Sequence, residues 1–167
     1  GSGDTTYNYV ILLFFLIMTL FGTLVWTLVE RKNRDYEKIN YVFEIIIRYF
    51  LAFTMIGYGI YKLIPLQFPE PYFYKLLQPL GEFSPMGLFW GMMGSSKGYV
   101  IFTGLAEVIG GVLLFHRRTK VAGALILVGV LINVVAVNFF YDIPVKLFST
   151  HLLLMAILLI LPYGERL

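Results

Sequence analysis

The chain contains no cysteine in its 167 residues. It therefore performs no thiol–disulfide exchange of its own. That sets it apart from small helical membrane oxidoreductases that pass electrons through a CxxC pair. Histidine is almost as scarce: His116 and His151 are the only two, and they fall on opposite sides of the membrane reading developed below. No HxxxH, CxxC or paired-carboxylate spacing is present, so the sequence offers no metal-ligand set. No GxGxxG follows a strand pattern. Ser149 and His151 are two apart on a helical pattern and point to different faces, so they do not make a nucleophile–base pair. Charge is sparse, with 14% of residues charged against about 25% in soluble domains. The net charge of +3 is gathered at the ends of apolar runs, without a basic stripe interleaved with aromatics, and this excludes a nucleic-acid partner.

Apolar residues are what the chain has in excess. They make up 59% of it, and the mean hydropathy is +0.79. Five apolar runs stand out: Tyr9–Val29, Val42–Ile64, Tyr99–Phe115, Val121–Phe140 and Val145–Leu161. Each is close to the ~20 residues that cross ~30 Å of hydrocarbon as a helix. Backbone polar groups in lipid must be satisfied within the segment, so these runs predict five transmembrane α-helices in an all-α bundle. The opening "GSGDTTYNYV" passes without a seam into the first run. It has no basic n-region or small-residue cleavage site, so it reads as the start of a fragment or processed chain and not as a signal peptide.

Lysine and arginine set the expected orientation. "ERKNRDYEK" (Glu30–Lys38) joins the first two runs and "HRRTK" (His116–Lys120) joins the third and fourth. Both are basic and both fall on one side of a five-span chain. That side is expected to be cytoplasmic, with the N-terminus outside and the C-terminus inside a bacterial inner membrane. The outer side then holds the short "YDIPVK" (Tyr141–Lys146) and a long connection over residues 65–98. The long connection is rich in Pro, Gly and aromatics, and such a length is usually functional. "PYFYKLLQPL" reads as a short interfacial helix. "SPMGLFWGMMG" is too apolar for a solvated loop, and two readings stand: it dips back onto the bundle, or it lies in the interface anchored by Phe89 and Trp90. In the first run Thr19, Thr23 and Thr27 recur every four residues beside Gly22, a stripe suited to packing against a neighbour.

Ionisable residues inside a bilayer are costly and should face the bundle interior. The second run carries Glu44, Arg48, Tyr58 and Lys62 on one helical face. Glu44 and Arg48 are spaced to pair, and Lys62 at the outer end is placed to snorkel. Glu107 lies midway along the third run between Gly104 and Gly111. The fourth run carries Asn133 and Asn138. Asp142 precedes Pro144, where it is expected to cap the fifth helix and to pair with Lys146. Antiparallel order brings Lys62, Asn138, Tyr141, Asp142, Lys146 and His151 to the outer half, with Glu107 near the middle. This predicts a polar pocket opening outward under the long connection, with Arg48, Tyr58, Lys62, Glu107, Asn133, Asn138, Tyr141, Asp142, Lys146 and His151 as candidate ligand-binding or intramembrane polar residues. The alternative is a structural network in which Glu107 bonds Asn133 or His151 and holds the register of the bundle.

Several of these stretches resemble the DoxX-like family of four-helix membrane proteins. The likeness covers about Arg48–Pro162 and rests on Arg48 early in the first family helix, "GIYKL" (Gly59–Leu63), "GLAEVIGGVLL" (Gly104–Leu114) and the basic "RRT" turn that follows. "LQFPEP", "SPMGLFWGMMG" and "NFFYDIPVKLFSTHLLL" are similar to a longer, Bacteroidetes-type branch with an extra N-terminal span. The resemblance implies two parts: residues 1–41, an added transmembrane helix and basic loop, and residues 42–167, a four-helix domain. It carries over Arg48, Lys62 and Glu107 as family positions. The family takes its name from subunits of a thiosulfate:quinone oxidoreductase. The expected function is an auxiliary subunit of a membrane redox system, holding a quinone or similar small apolar molecule in the outer pocket. Tyr58, Lys62 and His151 would bond its oxygens and Glu107 would carry a proton. Its partners would be the lipid bilayer and a membrane or periplasmic redox protein. The alternatives are a small-solute carrier with Arg48 and Glu107 on its path, and a structural assembly subunit.

Overall fold

A computed structural model describes residues 3–30, 36–64 and 66–166. Residues 31–35 of the first basic loop, the first two residues of the N-terminal segment and the start of the long connection lie outside the described residues. Among the described residues the chain forms helices and no strand: α1 Thr6–Val29, α2 Glu37–Leu63, α3 Phe73–Leu76, α4 Pro85–Gly94, α5 Lys97–Leu114, α6 Lys120–Phe140 and α7 Lys146–Ile160, with 3-10 turns at Leu80–Glu82 and Leu161–Arg166. Five helical segments, the last running on to Tyr163, are long and apolar enough to cross a membrane. They match the five predicted runs to within a few residues.

Glycine sets how closely these helices approach. A Cβ at Gly59 would stand 2.6 Å from the Gly104 carbonyl oxygen, and one at Gly111 would stand 3.0 Å from that of Ala52. Thus α2 and α5 touch backbone to backbone along one seam. Likewise a Cβ at Gly123 would stand 2.8 Å from the Gly110 carbonyl oxygen, which clamps α5 to α6 near the end that carries His116–Lys120. Small residues at such seams let dispersion contacts replace the hydrophobic drive that lipid cannot supply. The core between α2, α5, α6 and α7 is filled by Leu51, Met55, Leu114, Leu127, Leu131, Leu152 and Ala156.

The N-terminal segment supplies a cap that the sequence pattern places elsewhere. Val145, the residue before α7, offers no side-chain cap. The Asp4 carboxylate accepts hydrogen bonds from Lys146 N at 2.7 Å and Leu147 N at 3.1 Å, satisfying two orphan donors of that helix start. Gly3 N donates to the Pro144 carbonyl at 2.9 Å and Asn8 Nδ2 to the Gly3 carbonyl at 2.6 Å, which tie down the same strap. Asp142, expected to cap α7, instead adopts φ 51 in the tight turn after α6, a conformation that Asp tolerates better than most residues. Its carboxylate pairs with Lys146 at 2.5 Å as expected. Beyond this strap α1 buries no residue against the rest of the chain. The hydroxyls of Thr19, Thr23 and Thr27 donate to the carbonyls one turn back, so the stripe is satisfied within its own helix.

The long connection folds back onto the bundle. Ser84 caps α4 by accepting from Gly87 N at 3.1 Å, and Pro85 occupies the first helical position. Met93 of α4 packs with Phe68 and Val100 in a second small core, flanked by Phe89 and Trp90. "PYFYKLLQPL" contains only the single turn α3, and Phe73 on it and Leu77 just after it are exposed. An ion pair between Glu70 and Lys97 at 2.5 Å ties the connection to the start of α5, and Lys97 holds the Glu70 carboxyl below its ordinary range.

Candidate functional site

The clearest chemical feature is a buried ion pair between two helices. Glu107 lies ten residues into α5, about 15 Å along its axis. Lys62 belongs to the last turn of α2. A Cβ at Gly104 would stand 2.9 Å from Lys62 Cβ, so Lys62 is level with Gly104, one turn nearer the connection end than Glu107. Its ammonium runs inward and donates to Glu107 Oε1 at 2.6 Å. The two residues are 7% and 2% exposed. The snorkelling expected of Lys62 does not occur, because the glycine seam brings a carboxylate within reach on the inner side. The second oxygen, Glu107 Oε2, is buried and has no hydrogen-bond partner.

That pair lines a cavity of about 730 Å³, within the range of small-molecule sites. Its walls come from α2 (Met55, Tyr58, Lys62), α5 (Tyr99, Phe102, Thr103, Glu107), α6 (Gly129, Asn133, Asn138) and α7 (Phe148, Ser149, Leu152). The roof is Gln67 and Phe68 of the connection with Met86, Phe89, Trp90 and Met93 of α4. Aromatic and methionine side chains dominate it, the second kind being adaptable to irregular shapes. The polar groups are few. Asn138 Nδ2 donates to Ser149 Oγ at 2.9 Å, and Ser149 Oγ donates to the Lys146 carbonyl at 3.1 Å. Thr103 spends its proton on the Val100 carbonyl at 2.9 Å. Gln67 Oε1, like Glu107 Oε2, is buried without a partner.

The cavity also has a side opening. Phe102, Gly129 and Asn133 line it yet are exposed, and a Cβ at Gly129 would meet nothing within 4 Å. These residues lie on α5 and α6 at depths of about 8–17 Å from the connection end, within the apolar length of both helices. The same helices are clamped at Gly110 and Gly123 towards their other end, so the window lies where they part.

Of the sequence-predicted residues, Tyr58, Lys62, Glu107, Asn133, Asn138 and Tyr141 line this cavity. Asp142 and Lys146 line a separate, smaller cavity of about 420 Å³ at the mouth, with Asp4 and Ser84. His151 lies outside both: it is exposed, with Nδ1 2.6 Å from the Leu147 carbonyl, because it stands two residues from the buried Ser149 on α7 and so faces away. Arg48 is also outside. It is buried nearer the other end of α2, its guanidinium 5.1 Å from the Tyr49 ring centroid and its Nε without an acceptor. The expected pairing of Arg48 with Glu44 is replaced by an ion pair of Glu44 with Lys120 across to α6. Gln67 and the methionines of α4 enter the site without a sequence signal, since no periodicity runs through the connection. Asp4 was equally hidden, being 142 residues away from the amide it caps.

Comparison with known proteins gives one family relation. The chain is 33% identical over 115 residues to the uncharacterized protein YwoB of Bacillus subtilis (strain 168), covering 68% of this chain and 71% of YwoB. No family model matches the chain. No solved structure matches it.

Proposed function

We propose that this chain, which belongs to the same family as YwoB, is an auxiliary subunit of a membrane redox system that holds a quinone-like molecule in the cavity beneath α4. The observation that carries the reading is the position of the cavity. It sits at the depth of the apolar helices, opens between α5 and α6 through Phe102, Gly129 and Asn133, and has a buried ion pair at its inner wall. A lipid-dissolved ligand reaches such a site from the side, whereas a water-borne solute would need a path along the bundle axis. Phe89, Trp90 and Phe148 line the cavity, and offset or edge-on ring contacts from them would hold a flat aromatic head. Tyr58 and Lys62 supply donors for its oxygens. Such a group supplies two-electron, two-proton redox chemistry when bound; the chain positions it and keeps water away. The DoxX-like resemblance of Arg48, "GIYKL" and "GLAEVIGGVLL" supports the same reading.

The five apolar helices and the positions of the basic loops support a bacterial inner membrane location, with the α4 side outward and both termini placed accordingly. Labelling of Ser95→Cys but not Arg118→Cys by an impermeant thiol reagent in intact cells checks that orientation, and the reverse pattern overturns it. The redox partner would dock on the membrane or periplasmic face. The functional reading is tested with Trp90, which lines the cavity. In a Trp26→Phe background, a short-chain benzoquinone should quench Trp90 saturably, and quinone should co-purify from membranes in mild detergent. Quenching that rises linearly, as it does for free tryptophan, together with no retained quinone, refutes the assignment.

A further inference from the structure

We infer that Glu107 sets the charge class of the ligand: by neutralising Lys62 it restricts the cavity to uncharged molecules that present a hydrogen-bond acceptor. The inference rests on reading the cavity as a quinone site and deepens it by giving the ion pair on its wall a role in selection. Among the described residues that line the cavity, Lys62 and Glu107 are the only charged ones. Asp142 and Lys146 belong to the smaller cavity at the mouth and pair with each other. The Lys62 ammonium has three donors and gives one to Glu107 Oε1 at 2.6 Å. The other two, and the hydroxyl of Tyr58 one turn back on α2, meet no protein acceptor among the described residues. Glu107 Oε1 is taken by Lys62 and Oε2 is closed off from the cavity, so the carboxylate acts on a ligand through its charge.

A lone ammonium in an apolar wall draws an anion. A carboxylate 2.6 Å from it removes most of that pull. About 4 Å beyond the ammonium, on the line running away from Glu107, the two potentials sum to about 40% of the bare ammonium's, and to less at the side. What is left suits the partial negative charge of a carbonyl oxygen, which takes hydrogen bonds from Tyr58 and Lys62. A ligand with a full negative charge gives up its hydration on entering and finds no net countercharge.

The test uses two naphthoquinones of nearly the same shape, one with a carboxamide on its ring and one with a carboxylate. Both are offered at neutral pH to the full chain in nanodiscs of zwitterionic lipid, and equilibrium dialysis against empty nanodiscs subtracts lipid partitioning. The carboxamide should bind the parent about tenfold more tightly than the carboxylate, or better. Glu107→Gln keeps the side-chain shape, and its carbonyl oxygen still accepts from Lys62, so the ammonium stays on the wall without a countercharge. The preference should then fall to within about twofold or reverse. Lys62→Met/Glu107→Gln removes both charges and should restore it. A Glu107 that served only to hold α2 against α5 would, when replaced, lower both affinities together and leave their ratio unchanged. Gln67→Lys, on the roof and with the ion pair intact, adds an unbalanced cation and should narrow the preference to within about twofold as well, which decides the matter where Glu107→Gln fails to fold. Equal binding of the two probes to the parent overturns the inference and leaves the quinone site standing. So does a tenfold preference that persists in folded Glu107→Gln or, failing that variant, in Gln67→Lys. Binding of neither probe to the parent above empty nanodiscs removes the site itself.

Discussion

Replacing Lys62 by Met should be among the most damaging single changes in the bundle, and replacing Glu107 as well should reverse most of the damage. Lys62→Met leaves the Glu107 carboxylate, 2% exposed and mid-way along α5, without its cation. The carboxylate then stays charged in an apolar wall or takes up a proton. Holding a proton at pH 7 against an ordinary value of about 4.3 costs about 3.7 kcal/mol, which caps the electrostatic penalty. Breaking buried pairs typically costs about 3–5 kcal/mol, so a loss of about 3–4 kcal/mol is expected. Glu107→Leu should cost less, about 1–3 kcal/mol, because Lys62 sits in the last turn of α2 and its flexible stem can swing its ammonium to the membrane surface. The double variant Lys62→Met/Glu107→Leu removes both desolvated charges and should lie within about 1 kcal/mol of the parent, or above it. The cycle is measured by reversible SDS unfolding in mixed micelles, with helix content and Trp90 fluorescence required to report one transition. Lys62→Met within about 0.5 kcal/mol of the parent, or a double variant less stable than Lys62→Met alone, refutes the reasoning.

Gly104→Ala should destabilise the bundle by about 1–3 kcal/mol, since its Cβ would meet the Gly59 carbonyl oxygen at 2.9 Å, whereas Gly57→Ala, which meets nothing within 4 Å, should be neutral or stabilising in the same unfolding assay. Asp4→Ala should cost about 1 kcal/mol, the ordinary worth of a lost cap, and should speed hydrogen exchange at the Lys146 and Leu147 amides; unchanged exchange there argues against the cap. Gly129→Phe fills the opening between α5 and α6 from its exposed side, so thermal stability should hold while the apparent affinity for a lipid-dissolved quinone falls at least tenfold in Trp90 quenching. Undiminished binding to that variant would place the entrance elsewhere.

The part of this architecture that is readable in sequence is the part encoded by helical period. Run length and hydropathy place five segments, and the spacing of Gly104, Glu107 and Gly111 puts a carboxylate on the same face as the glycines that admit another helix. Period fixes a face, however, and says nothing about depth or about which neighbour meets that face. Arg48 and Lys62 are fourteen residues apart, very nearly four whole turns, so both lie on the same face of α2. They are also about 21 Å apart along it. Depth alone gives Lys62 a carboxylate and leaves Arg48 against Tyr49. His151 makes the opposite error visible. Depth puts it beside the cavity, but it stands about 200° around α7 from Ser149, and only one of the two can face inward. Gln67 and Asp4 lie outside any helical period, and their positions follow from chain closure over α4 and over α7. The residues that line the cavity are therefore split between the two kinds of information. Glu107 sits where the pattern predicts a polar group, and Gln67 sits where no pattern exists.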